Sequence, residues 1–271
     1  MTQTAMNPIG IFDSGMGGLT VAKTITTLLP YENIVYFGDT AHTPWGDKSV
    51  AAIQAYSLKI CEVLLQHHCK VIVVACHTAS TAAFELVKEY VGHKALVLNV
   101  VDPVVEYLKT HHANQKIGLI GTKQTIRSNT YQKRLDSLDQ NIQLAALATP
   151  LLVPLIEEGF SEHPISEIMI QEYLSRPELQ NLDALILGCT HYPLLKKHIQ
   201  KFYPKKIDII DASQMTAIVL KDLLTQHKLL NPQIETVKKL FYISDHNDFF
   251  ATTAKLFFPG EIKLEPYPLW E

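Results

Sequence analysis

Two cysteines stand where the chain passes from an apolar run to small polar residues: Val71-Ile-Val-Val-Ala-Cys76-His-Thr and Asp183-Ala-Leu-Ile-Leu-Gly-Cys189-Thr-His. Such a run reads as a buried strand emptying into a loop, the position from which open α/β sheets present groups to ligands. An unperturbed thiol titrates near pH ~8.5, close enough to neutrality for thiol and thiolate both to be populated after modest tuning. Two thiols, one from each half of the chain, are suited to face one substrate from opposite sides. One would remove a proton from a carbon while the other returns a proton to its far face. Taken singly, either cysteine reads as a small buried hydrophobe. The matched setting is what separates this pair from Cys61, inside an expected helix over 48–68, and Cys69, just ahead of a strand, which are read as structural.

Other chemistries fit these residues less well. Neither Cys76 nor Cys189 is followed within several positions by an arginine that could grip a phosphate, and a papain-like arrangement leaves the second thiol without a role. Gln66-His-His-Cys-Lys70 matches no standard zinc spacing, so no metal is expected there. Asp13-Ser-Gly-Met-Gly-Gly-Leu-Thr20 sets glycines between a strand and a helix, yet Thr20 stands where a dinucleotide fingerprint needs glycine, and Gly-Lys-Ser/Thr is missing. The expectation that remains is a loop whose backbone comes close to a ligand and offers amides at a helix N-terminus to a carboxylate. Asp13 either shapes a turn or assists proton transfer beside a thiol. Gly38-Asp-Thr-Ala-His-Thr-Pro-Trp45-Gly46 reads as a loop, either ordinary turn chemistry with Trp45 packing or one wall of a cleft. Thr122 and Thr125, in Gly121-Thr-Lys-Gln-Thr125, either cap a helix or donate to a carboxylate.

The elements that must position these groups alternate regularly. Strand-like runs at about 8–13, 33–38, 70–76, 95–100, 116–121, 142–148, 182–188, 207–211 and 237–243 are separated mostly by segments of helical spacing, which implies mainly parallel sheet covered by helices. A helix is predicted over Gly18–Leu29, stopping at Pro30, and Ser213 is placed to cap another running toward Gln226. A weak internal repeat is present: Pro8-Ile-Gly-Ile-Phe-Asp13 resembles Lys116-Ile-Gly-Leu-Ile-Gly121, and the two cysteine strands resemble each other. Two similar α/β halves would bring the carboxyl ends of their strands to a shared cleft.

Composition agrees. The 271 residues, 47% hydrophobic and 19% charged with a net charge of -3, describe a globular chain long enough for two medium domains joined by short crossings. No basic stripe marks a nucleic-acid partner. No apolar run approaches the ~18 residues of a membrane span, and the first residues show neither the basic nor the apolar region of a signal peptide, so a cytoplasmic protein is expected. Four cysteines are too few for a disulfide framework at this length.

Ile9-Gly-Ile-Phe-Asp-Ser-Gly-Met-Gly-Gly-Leu-Thr20, Tyr36-Phe-Gly-Asp-Thr-Ala41, Val74-Ala-Cys-His-Thr-Ala-Ser80 and Leu187-Gly-Cys-Thr-His-Tyr-Pro-Leu-Leu195 together resemble the glutamate racemases of the aspartate/glutamate racemase superfamily. The likeness extends through Ile210-Asp-Ala-Ser213 and Phe241-Tyr-Ile-Ser-Asp245, nearly the whole chain. The resemblance implies cofactor-independent interconversion of L- and D-glutamate, with D-glutamate supplied for peptidoglycan. It implies that Cys76 and Cys189 are the acid/base thiols and that Asp13 and His191 assist them. It further implies substrate contacts from Ser14, Trp45, Gly46, His77, Thr78, Thr122, Thr125, Glu157 and Thr190, beside Asp13 and His191. Two α/β domains related by pseudo-twofold symmetry are implied, 1–98 with 208–271 and 99–207, with the active site between them, and a homodimer.

Three positions depart from the family pattern. His77 replaces the usual Asn, exchanging an amide for a ring that, when neutral, has one donor and one acceptor, and that could add a pH dependence. Trp45 replaces the usual Tyr, and His42 stands where Arg is common. The nearest alternative function is a racemase or isomerase of the same superfamily acting on another substrate such as aspartate; the remoter one is a non-catalytic amino-acid-binding protein.

Overall fold

The computed structural model describes residues 4–203, 205–233, 237–246, 248–260 and 262–271. Strands β1 (Ile9–Asp13), β2 (Ile34–Gly38), β3 (Val71–Val74) and β4 (Leu96–Asn99) are followed by β5 (Lys116–Gly121), β6 (Gln143–Ala148), β7 (Ala184–Gly188) and β8 (Asp208–Asp211), then by β9 (Lys239–Ile243) and β10 (Leu264–Pro266). They form two all-parallel sheets, ordered β10-β9-β2-β1-β3-β4 and β6-β5-β7-β8. Both cysteine strands are buried along their whole length, which is why they read as continuous apolar runs rather than alternating ones. Parallel neighbours need crossovers, and helices Leu19–Leu28 and Val50–Gln66 supply the first two. The second of these starts at Ser49, whose hydroxyl accepts from the Ala52 amide at 3.2 Å.

The strand order repeats. In the first sheet β1 lies between β2 and β3, with β4 beyond β3; in the second β5 lies between β6 and β7, with β8 beyond β7. The chain therefore reverses its direction of travel across the sheet between β1 and β3, and again between β5 and β7. Loops leaving the carboxyl ends of such strands diverge and open a crevice. At the first crevice stand Asp13, Ser14, Cys76 and His77, and at the second Thr122, Cys189, Thr190 and His191. The weak sequence repeat maps onto equivalent strands, β1 with β5 and β3 with β7.

One expected boundary moves. The resemblance implies residues 208–211 in the first half, but β8 pairs with β7 from Ala184–Asp208 to Leu187–Asp211 and completes the second sheet. Its Ile209 and Ile210 are buried in the core there. What returns to the first sheet is β9, which adds to the edge of β2, and β10, which adds to β9. Helix Ala212–Gln226 is capped not by Ser213 but by Asp211, whose Oδ1 accepts from the Ser213 amide at 2.9 Å and from its hydroxyl at 2.7 Å. That helix packs against Leu19–Leu28 and Asp102–His111. Ile9, Ile11, Val71 and Val73 share one buried core with Leu119, Ile186 and Leu187 of the second sheet, so the halves are joined by apolar packing. The other face of the first sheet, with Phe12, Val35, Phe37, Ile72 and Val74, packs on Ile53 and Ile60 in a second core. Among the described residues no helix is long and apolar enough to cross a membrane.

Candidate active site

The two crevices open into one cleft. Ser14, Trp45, Gly46, Cys76, His77 and Thr78 line it from the first half, and Thr122, Cys189, Thr190 and His191 from the second. Asp13, Thr125 and Glu157 hold the lining residues instead of forming the wall. Thr43 and Pro44 belong to the loop read as a possible wall and do line the cleft. Sequence reasoning passed over Asp47, Lys123, Thr149, Pro150, Val153, Pro154 and Tyr192, which complete it. A signal existed for three of them: β6 gives way to Thr149-Pro150 with the same break from apolar to polar residues that marked the cysteines, and Tyr192 directly follows Cys189-Thr-His.

Cys76 follows β3 and directly precedes the short helix His77–Ala82. Its Sγ donates to Ser14 Oγ at 3.5 Å. Burial, reinforced by the nearby Asp13 carboxylate, pushes this thiol up to about 12. Cys189 follows β7 and sits beside an imidazole instead, with Sγ 3.6 Å from His191 Nδ1. The far nitrogen of that ring, Nε2, is 2.9 Å from Glu157 Oε1. Burial alone would strip the proton from His191, but the Cys189 sulfur and the Glu157 carboxylate outweigh it and hold the imidazolium well above its ordinary range. The two thiols therefore meet opposite fields, a carboxylate near Cys76 and a cationic ring at Cys189.

Asp13 is wholly buried. Burial raises its carboxyl above the usual range, against the pull of His191 and of hydrogen bonds from the Gly18 and Gly15 amides and Thr190. Gly15 N donates to its Oδ2 at 3.0 Å, and Thr190 Oγ1 to its Oδ1 at 3.4 Å. This changes the reading of the glycine loop. The amides at 15 and 18, expected to meet a ligand, are taken by Asp13. The missing side chains leave room for neighbours: a Cβ on Gly17 would overlap the His191 ring and Thr190 Oγ1 at the junction of the halves, and one on Gly18 would overlap Asp13 within the first half. Thr20 fastens the junction of the halves by donating to the Thr190 carbonyl at 2.9 Å.

Hydroxyls supply the remaining polarity. Thr122 caps helix Lys123–Arg127 by accepting from the Thr125 amide at 3.2 Å, and its Oγ1 is also 2.9 Å from Thr78 Oγ1 and 3.0 Å from Thr125 Oγ1. Capping and cleft lining thus fall on the same side chain. Tyr192 OH is 2.7 Å from Thr149 Oγ1. His77 is buried, neither of its ring nitrogens has a partner among the described residues, and the ring lies near-parallel to Tyr131 at 6.4 Å between centroids. Burial drives its pKa down to about 3, so the ring is neutral throughout the physiological range, and the pH dependence expected of it from sequence is not supported. Arranged so, the cleft offers a small polar molecule several hydroxyls, an unpartnered neutral imidazole, and two thiols in unlike electrostatic settings.

Residues 22–218 match the family model described as Asp/Glu/Hydantoin racemase. A glutamate racemase of Chlorobaculum parvum is 40% identical over 259 residues, covering 96% of this chain and 95% of that protein. The crystal structure of glutamate racemase from Francisella tularensis in complex with D-glutamate superposes with a TM-score of 0.91 at 36% identity, covering 98% of this chain and 99% of that one. The glutamate racemase isoform RacE1 of Bacillus anthracis gives 0.90 at 34% identity, over 96% and 97% of the two chains.

Proposed function

The chain belongs to the glutamate racemases of the Asp/Glu/hydantoin racemase family, which are isomerases, and from that premise we propose that it interconverts L- and D-glutamate by proton transfer between Cys76 and Cys189. The observation that carries this reading is that the two thiols, at the ends of equivalent strands in a repeated topology, line one cleft and meet opposite fields. In the proposed reaction Cys189 starts as thiolate with the His191 imidazolium as counter-ion, and removes the α-proton of L-glutamate. Cys76, starting as thiol, delivers its proton to the opposite face. The C–H bond on one face is exchanged for one on the other, Cys189 ends as thiol and Cys76 as thiolate, and the reverse reaction uses the exchanged roles. Burial, reinforced by the nearby Asp13 carboxylate, raises the Cys76 thiol and so keeps it protonated at the start of the forward direction.

Ser14, Thr78, Thr122 and Thr190 are assigned to the substrate's carboxylates, where their hydroxyls stabilise charge that develops as the α-carbon loses its proton. Trp45 and Gly46 shape the wall, and His77 contacts substrate as a neutral ring. Thr125 and Glu157 act through Thr122 and His191. The two thiols account for both proton steps, so the reaction is proposed to need no cofactor. By likeness to the family, the enzyme is a cytoplasmic homodimer whose product feeds peptidoglycan synthesis.

Incubation of the purified protein with L-glutamate in deuterated water, without added cofactor, tests this directly. D-glutamate carrying deuterium at Cα is expected, with aspartate turned over far more slowly. A requirement for metal or pyridoxal phosphate, a preference for aspartate, or glutamate binding without exchange would each overturn the proposal.

A further inference from the structure

The cleft wall at Trp45 hangs from a carboxylate that also holds a residue 231 positions away. Asp39, just after β2, is wholly buried. Its Oδ2 accepts from the Trp45 indole N–H at 3.0 Å, and its Oδ1 accepts from the Trp270 indole N–H at 2.8 Å and from Ser244 Oγ at 2.7 Å. His42 Nδ1 lies 3.0 Å from Oδ2. Buried acceptors of this kind are costly to leave short of donors, so the loss of one donor is felt by the others.

The rings form a second link. His42 stacks on Tyr56 at 4.2 Å, Trp270 meets both edge-on at 4.5 and 5.3 Å, and Trp45 lies 5.6 Å from Tyr56. Segment 264–270 reaches this cluster along β10: the Tyr267 amide donates to the Ile243 carbonyl at 2.8 Å, and Leu269 is buried. On the cleft side the loop has little freedom, since a Cβ on Gly46 would stand 2.9 Å from Thr122 Cβ. Thr122 in turn bonds Thr78 across the cleft.

We infer that Trp270 is a positioning residue for the racemisation: through the shared Asp39 carboxylate it sets Trp45 and Gly46 in the wall that receives substrate. The inference rests on the functional reading above. It treats segment 264–270 as a strap that ties the edge of the first sheet to the substrate wall, without touching substrate itself.

The chain contains two tryptophans, and these are the two that share Asp39. Trp270→Phe keeps a ring on the cluster, removes the N–H, and leaves Trp45 as the sole tryptophan fluorophore. The expected result is a KM for L- and D-glutamate raised by at least about fivefold with kcat within about twofold, accompanied by a red shift of Trp45 emission. Leu269→Ala serves as the control: it loosens the same segment through packing and should lower the melting temperature without the KM change. An unchanged KM in Trp270→Phe, or an equal rise in Leu269→Ala, would overturn the inference. Wild-type racemisation measured alongside reports separately on the functional reading, and Trp45 emission reports on the wall whether or not glutamate is the substrate.

Discussion

Cys76 and Cys189 occupy equivalent strand ends, yet their neighbours differ in sign: Asp13 near the first, and the His191 ring, backed by Glu157, beside the second. In the proposed reaction that difference sets the roles of the two thiols, and it gives the Glu157–His191 pair a testable duty. In Glu157→Gln the carboxylate that helps hold the imidazolium is gone, so the ring loses its proton at a lower pH. The alkaline limb of the kcat/KM profile is therefore expected to move to lower pH; an alkaline limb at the wild-type position would remove Glu157 from the account. His77 carries the opposite sign. Its folded pKa of about 3 lies below the ordinary imidazole value, so the neutral buried ring contributes stability that is present above about 6.5 and is lost as pH falls toward 3. His77→Asn should then lose less melting temperature between pH 7 and pH 5 than the wild type does, while racemisation continues and the activity profile gains or loses no ionisation in that range. A profile that changes shape between pH 5 and 8 would show that the ring titrates after all. Residue types of this kind were legible in sequence, but their partners were not. Glu157 lies 34 positions from His191, and nothing local connects them; the resemblance offers each as a separate substrate contact, and their pairing emerges only in the fold.

At the scale of elements, the alternation of strand and helix was plain wherever a strand is buried on both faces, because such strands are continuous apolar runs. β10 escaped notice for a physical reason: it is three residues at a sheet edge, with Glu265 inside and Pro266 at its close, and such an edge needs little apolar sequence. The cap of helix Ala212–Gln226 fell one element-end earlier than expected because Asp211, last in β8, points its carboxylate at the Ser213 amide. The glycine loop after β1 was legible as a loop that tolerates close approach, but what approaches it is the second half of the molecule. Gly17→Ala tests that reading. Its methyl must displace the His191 ring or Thr190, a misfit worth ~1–3 kcal/mol. The expected result is a melting temperature lowered by several degrees together with a marked fall in kcat; wild-type kcat would mean that the halves can part here without disturbing the thiol at Cys189.

The whole molecule is one topology used twice and joined by a shared core. Its repeat was detectable in sequence because the same chemical needs recur at β1 with β5 and at β3 with β7: an apolar strand, then a break where a side chain can leave the sheet. The convergence of the two breaks on a single cleft depends on packing between the halves, which no local pattern records. In the proposed reaction that convergence is the catalyst, since each half brings one thiol and each thiol serves one face of the substrate. The most direct test follows deuterium from solvent into each enantiomer of glutamate with Cys76→Ser and Cys189→Ser. A serine hydroxyl is a poor base at neutral pH, so both variants should lose racemisation by roughly 10²–10⁴-fold or more while still binding glutamate. Cys76→Ser should retain exchange into L-glutamate alone, through Cys189, and Cys189→Ser should retain exchange into D-glutamate alone, through Cys76. Near-wild-type racemisation by either variant, or equal exchange into both enantiomers, would contradict a mechanism of two thiols on opposite faces.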